Sequence, residues 1–137
     1  MGLMTRIMFE SRPSSFEFAE TVTKVREAAI ENGWTVPQTF DLQDHYHHEG
    51  LPETRRTTII YYCDSRAGSD ITKDDSNKPM FVMMPTGVAV YETSSGEVRV
   101  ANMNFGLMRH MFSGVVKKTL SRSARNMAKA LKAAGVT

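Results

Sequence analysis

Cysteine is nearly absent from this chain. Cys63 is the only one in 137 residues, which excludes an internal disulfide framework and leaves packing to hold the fold. Long apolar runs are missing as well; none approaches the roughly 20 residues of a membrane-spanning helix. The opening Met1-Gly2-Leu3-Met4-Thr5-Arg6 lacks the apolar core of a signal peptide, so the expected compartment is the cytoplasm, with no membrane partner. There is no phosphate-cradling glycine loop, no G-x-S-x-G and no paired-carboxylate site. Acidic residues are missing from one region. Residues 1–104 hold all 15 acids and 10 of the 17 bases, a net −5, whereas residues 105–137 hold seven bases and no acid, a net +7.

What is present is the composition of an ordinary globule, 41% hydrophobic and 23% charged. A chain of this length is expected to form a single domain over residues 1–137, burying about two-thirds of the surface its unfolded form exposes. Its centre is the stretch from Thr57 to Asn104. Thr57-Thr58-Ile59-Ile60-Tyr61-Tyr62 is β-branched and aromatic and runs into Cys63. Gly87–Glu92 and Glu97–Ala101 alternate polar and apolar residues about the hairpin loop Thr93-Ser94-Ser95-Gly96. These three strands are expected at the middle of the sheet.

Upstream, Arg6–Glu10 reads as a strand. Ser14-Ser15-Phe16-Glu17 matches a capping box that would start a helix at Ser14. Phe18, Val22, Val25 and Ala29 form one apolar stripe on that helix, and Gly33 suits its left-handed stop. Trp34–Phe40 reads as a strand whose Pro37, lacking an amide hydrogen, belongs at an edge or a bulge. Asp41–Glu49 reads as a short helical turn, and Asp64–Asp70 and Lys73–Pro79 as solvated turns with one helical turn near Ile71. Met103–Phe112 is a turn or short helix. A long final helix carries Val116, Leu120, Met127 and Leu131 on one face and Lys118, Arg122, Arg125, Lys129 and Lys132 on the opposite one. The order β-α-β-β-β-β-α predicts an α+β two-layer domain, an antiparallel sheet of about five strands packed against two helices, with room for a pocket under the last helix.

Four groups of residues are candidates for chemistry. His45, His48 and Glu49 fall at i, i+3 and i+4, a helical spacing that can set two imidazoles and a carboxylate around a metal ion; the alternative is a polar turn with local hydrogen bonds. Cys63, with Arg66 three positions on, is either a reactive thiol or soft ligand, or an inert small hydrophobe. Met80, Met83, Met84, Met103, Met108 and Met111 form two clusters that suit an adaptable apolar pocket or core filling, and thioethers also bind Cu(I). The basic stripe of the last helix is either a partner surface or a solvated face. With no aromatic between its bases, nucleic acid is not the expected partner.

Several motifs resemble the family called domain of unknown function 302 (DUF302), in particular its cysteine-containing subgroup. They are Asp44-His45, Tyr62-Cys63-Asp64-Ser65-Arg66-Ala67, Met84-Pro85 with Val88-Ala89-Val90-Tyr91-Glu92, Gly96-Glu97-Val98 and Met103-Asn104, spread over Ser14–Phe112. The resemblance implies a helix-on-sheet domain, often homodimeric, with some relatives connected to sulfur metabolism. Two departures bear on chemistry. Asp64-Ser65 stands where relatives have Asn-Pro, and Thr86-Gly87 stands where the subgroup has Cys-Arg, so one chain offers no dithiol site.

The leading expectation is a small binding domain, not an enzyme, which holds a metal ion or a sulfur-containing or apolar ligand between sheet and last helix, near Cys63, His45, Met84 and Arg66. No particular cofactor is implied. The alternatives are an interaction module using the basic helix, and a thiol-dependent enzyme with Cys63 as nucleophile and His45 as base.

Overall fold

The computed structural model describes residues 2–51 and 54–136. Five strands, β1 (Phe9–Pro13), β2 (Thr35–Asp41), β3 (Thr57–Cys63), β4 (Thr86–Glu92) and β5 (Val98–Met103), form one antiparallel sheet in the order β1-β5-β4-β3-β2. The three strands expected at the centre are there. Pro37 satisfies both of its alternatives, because β2 is an edge strand and its pairing with β3 shifts register between Thr35 and Gln38.

Helices α2 (Phe18–Glu31) and α6 (Gly114–Ala133) pack on one face of the sheet and on each other. Strand alternation decides which residues they cover. Ile60 and Tyr62 of β3, Val88 and Val90 of β4 and Val100 of β5 are fully buried against Val25 and Ala29 of α2 and Leu120, Met127 and Leu131 of α6. The residues between them, Ile59, Ala89 and Ala101, share the opposite face in one row with Phe40 and Ser11 and are only half-buried. The apolar stripe of α6 faces inward as its spacing requires, and Lys118, Arg125, Lys129 and Lys132 are exposed. The domain is α+β, in two layers.

Other segments differ from their sequence reading. Helix α1 (Leu3–Met8) replaces the start of the strand expected from Arg6. β1 begins only at Phe9, opposite Met103, the last residue of β5, so the chain before it has no strand to pair with. Ser14 is not the cap of α2. Its amide bonds the carbonyl of Val98 and it bridges to Val136, which ties it to the sheet margin, while its hydroxyl pairs with Thr21 Oγ1 at 2.7 Å. Glu17 takes the cap position, its carboxylate accepting from the amides of Ala19 and Glu20. Gly33 does end this helical run, at φ +86°.

The turn-rich stretch after Cys63 is helical. α4 (Ser65–Thr72) is capped by Asp64, which accepts from the Ala67 amide at 3.1 Å, and a 3₁₀ segment (Asp75–Met83) is capped by Asp74, which accepts from the Ser76 amide. Ala67 and Ile71, four apart on α4, are buried. The Ser, Asp and Gly residues that read as turn formers are therefore caps and spacers around a two-residue apolar anchor. α3 (Leu42–His48) and α5 (Phe105–Met108) are the short helices expected near those positions.

Candidate functional site

A cavity of about 440 Å³ opens where β3 ends and β4 begins. Its floor belongs to the covered face of the sheet: Tyr62 pairs with Thr86 across the strands, and Trp34 leans on Tyr62 with ring centroids 5.5 Å apart. α4 and the 3₁₀ segment wall one side, through Ala67, Gly68, Ile71, Met80 and Met83, and Leu120 and Ser123 of α6 wall another. Met84, before β4, completes the wall with Cys63. α4 runs close to Met84: a β-carbon on Gly68 would lie 3.2 Å from the thioether sulfur. Met80, Met83 and Met84 give this wall flexible, unbranched side chains.

The lining is mainly apolar, and its polar groups divide into spent and unspent. The Tyr62 hydroxyl donates to the carbonyl of Val25 at 2.6 Å, and burial pushes its pKa well above the ordinary phenol value. Asp64 caps α4, and Thr72 donates to the carbonyl of Gly68 at 2.7 Å. Cys63 is half-buried, its sulfur 3.8 Å from Ser65 Oγ. By contrast, Trp34 Nε1 and Thr86 Oγ1 are buried with no hydrogen-bond partner. Residues that leave polar atoms unpaired in a buried wall carry a cost of about 1–3 kcal/mol each.

Of the sequence candidates for a ligand, Cys63 and Met84 line this cavity together; His45 and Arg66 do not. His45 lies against Phe40, with ring centroids 5.3 Å apart and planes tilted by 58°, and Phe40 is a bare-face residue, so this imidazole sits across the sheet from Tyr62 and Thr86. Arg66 is exposed on α4. His45 Nε2 is 2.9 Å from Glu49, one turn on, while His48 reaches one turn back, with Nδ1 2.9 Å from the carbonyl of Asp44 and 3.6 Å from its carboxylate. That backbone bond, assisted by the Asp44 charge, raises the His48 pKa. Among the described residues no three His, Cys, Asp or Glu side chains are grouped to hold a metal ion. Of the basic stripe, only Arg122 reaches an acid among the described residues, Asp70 at 3.8 Å.

Trp34 and Thr86 are the site residues that the sequence reading missed. Thr86 had a signal: it lies in phase with Val88 and Val90, which puts a hydroxyl on a face that is otherwise apolar. Trp34 gives no comparable pattern, since its contact with Tyr62 depends on the α2–β2 connection.

A family model described as domain of unknown function DUF302 matches residues 10–134, extending the resemblance through α6. One similar solved structure is the crystal structure of an uncharacterized conserved protein DUF302 from Bacillus stearothermophilus. It is 16% identical, with a TM-score of 0.79 over 92% of this chain and 97% of that one, a likeness of fold. No curated protein matches the sequence. No helix among the described residues is long and apolar enough to cross a membrane.

Proposed function

The chain belongs to the DUF302 family, and from that premise we propose that it is a small-molecule binding domain which holds an apolar or sulfur-containing ligand in the cavity between the sheet end, α4 and α6. The observation that supports this most is a mainly apolar pocket of about 440 Å³ with Cys63 and Met84 in its wall. That volume falls within the range of ligand sites, as does the combination of an apolar lining with a few polar groups. Soft, unbranched methionines suit a wall that adapts to its guest. Among the described residues no histidine lines the cavity, so Cys63 lacks the adjacent base that nucleophilic catalysis requires, and holding a ligand is favoured over turning one over. A metal on His45, His48 and Glu49 has less support, because the two imidazoles are engaged with different partners.

The neutral dye N-phenyl-1-naphthylamine tests the proposal. It should bind at one saturable site, quenching Trp34, the single tryptophan, by energy transfer. Ser123→Phe, which fills the cavity from α6, should weaken binding about tenfold or more with the circular dichroism of the fold unchanged. A dye that fails to saturate, or binds both proteins alike, would refute it.

A homodimer is the second part of the reading, formed over the bare sheet face. Phe40, Ile59, Ala89 and Ala101 lie in one row across that face, and α1 beside it exposes Leu3, Met4, Ile7 and Met8, an apolar surface of the kind that associates. Ile59→Arg should then convert a dimer to a monomer by light scattering. The exposed bases of α6 are proposed to dock an acidic partner, and reversing Arg125, Lys129 and Lys132 should remove it.

A further inference from the structure

We propose that the cavity selects a cationic amphiphile, an apolar chain lodged inside with a protonated amine held at the rim by the carboxylate of Asp64. This rests on the binding function proposed above and adds the chemical class of the ligand.

Charge decides the class. Asp64 is the only charged side chain of the lining among the described residues; no lysine, arginine or histidine joins it there. Acids further along the same segments have counter-ions: Asp70 lies 3.4 Å from Lys73 and 3.8 Å from Arg122, and Asp75 lies 2.6 Å from Lys78. Asp64 makes no ion pair among the described residues. Its Oδ1 accepts from the amide of Ala67, which leaves the second oxygen for a ligand. The residue is half-buried. A charge in that position is screened by less water than one in open solvent, and its attraction for a cation does not depend on an aligned lone pair.

Exposure decides which end of the ligand goes where. Ser65 and Ser69, one turn apart on α4, belong to the lining and are exposed, so beside Asp64 the rim carries hydroxyl oxygens that accept from an ammonium group. Ile71, Phe105 and Leu120 belong to the same lining but are buried, and their side chains have no polar atom. The chain therefore enters first and the head stays among the oxygens. An anion meets no counter-charge in the wall, and Asp64 already occupies the first turn of α4, where helix amides would have held it. An uncharged head forgoes the attraction of Asp64. No covalent step with Cys63 is part of the proposal.

Displacement of N-phenyl-1-naphthylamine by three chains of equal length tests the class. At neutral pH nonan-1-amine, protonated as a lysine side chain is, should compete about 3- to 10-fold more strongly than nonan-1-ol, and nonanoate should be the weakest of the three. Raising the salt from about 20 mM to about 500 mM should shrink the preference for the amine over the alcohol. Asp64→Asn keeps a helix cap, since asparagine caps as well as aspartate does, and should abolish that preference while nonan-1-ol is unchanged. An amine no stronger than the alcohol, nonanoate as strong as the amine, or a preference that survives Asp64→Asn in full would overturn the cationic class and leave the binding function standing. Failure of the dye itself to bind would instead remove the binding function on which the class depends. The ligand comparison and the salt series on the unmodified protein need no variant to fold.

Discussion

The two faces of the sheet are woven from the same strands yet treat their polar groups in opposite ways. On the bare face the polar side chains satisfy one another: Tyr91 pairs with Ser11 at 2.8 Å, and Arg99 reaches Ser11 at 2.9 Å and Glu97 at 2.7 Å. On the covered side, where an unpaired group costs more, Trp34, Thr86 and Asn102 each leave a polar atom without a partner. A surface can leave polar atoms to water; a helix-covered layer cannot. Of these residues Trp34 and Thr86 belong to the cavity wall and Asn102 does not. The bare face pairs these polar groups with one another and leaves its apolar row for contact.

Truncation separates the faces most strongly. Ile60 and Ile59 are neighbours in β3 that point to opposite sides. Ile60→Ala is expected to cost about 2–5 kcal/mol in urea denaturation, and Ile59→Ala less than about 1 kcal/mol in dilute protein. Equal losses would mean that the bare face is covered as firmly as the other.

Tyr62 gives a smaller effect of the same kind. Tyr62→Phe should lose about 1 kcal/mol through its bond to Val25. Because the folded pKa is raised above the unfolded value near 10, the native protein holds this proton more tightly than the unfolded chain. The resulting stability is full below pH 10 and is lost as pH rises above it. The variant should therefore soften the alkaline unfolding of the protein.

The smallest effect lies at α3. The folded His48 pKa is raised, so its contribution is present below the ordinary value near 6.5 and fades as pH rises through the folded one. Proton NMR should place the His48 midpoint above 6.5, and replacing Asp44 with Asn should lower it only in part, since the larger cause is the backbone carbonyl.

Much of this arrangement was legible in the residues themselves. A β-branched and aromatic run assigned β3, alternation assigned β4 and β5, helical spacing assigned the buried stripe of α6, and Pro37 assigned an edge or a bulge. α4 and the 3₁₀ segment were hidden because their caps, Asp64 and Asp74, look like turn residues, and only the packing of Ala67 and Ile71 makes them helical. Half of the candidate ligand set, Cys63 and Met84, meets at the cavity. His45 was drawn in by its nearness to other histidines in the chain, but the pairing of Phe40 with Ile59 carries it to the other face.

The single tryptophan allows a direct test, because its indole N–H gives one resolved signal in a ¹H–¹⁵N correlation spectrum. On titration with N-phenyl-1-naphthylamine, this signal should shift together with the amides of Cys63, Gly68 and Thr86, while those of Phe40 and Ile59 stay in place. An unmoved indole signal, with shifts confined to the bare face, would contradict the account.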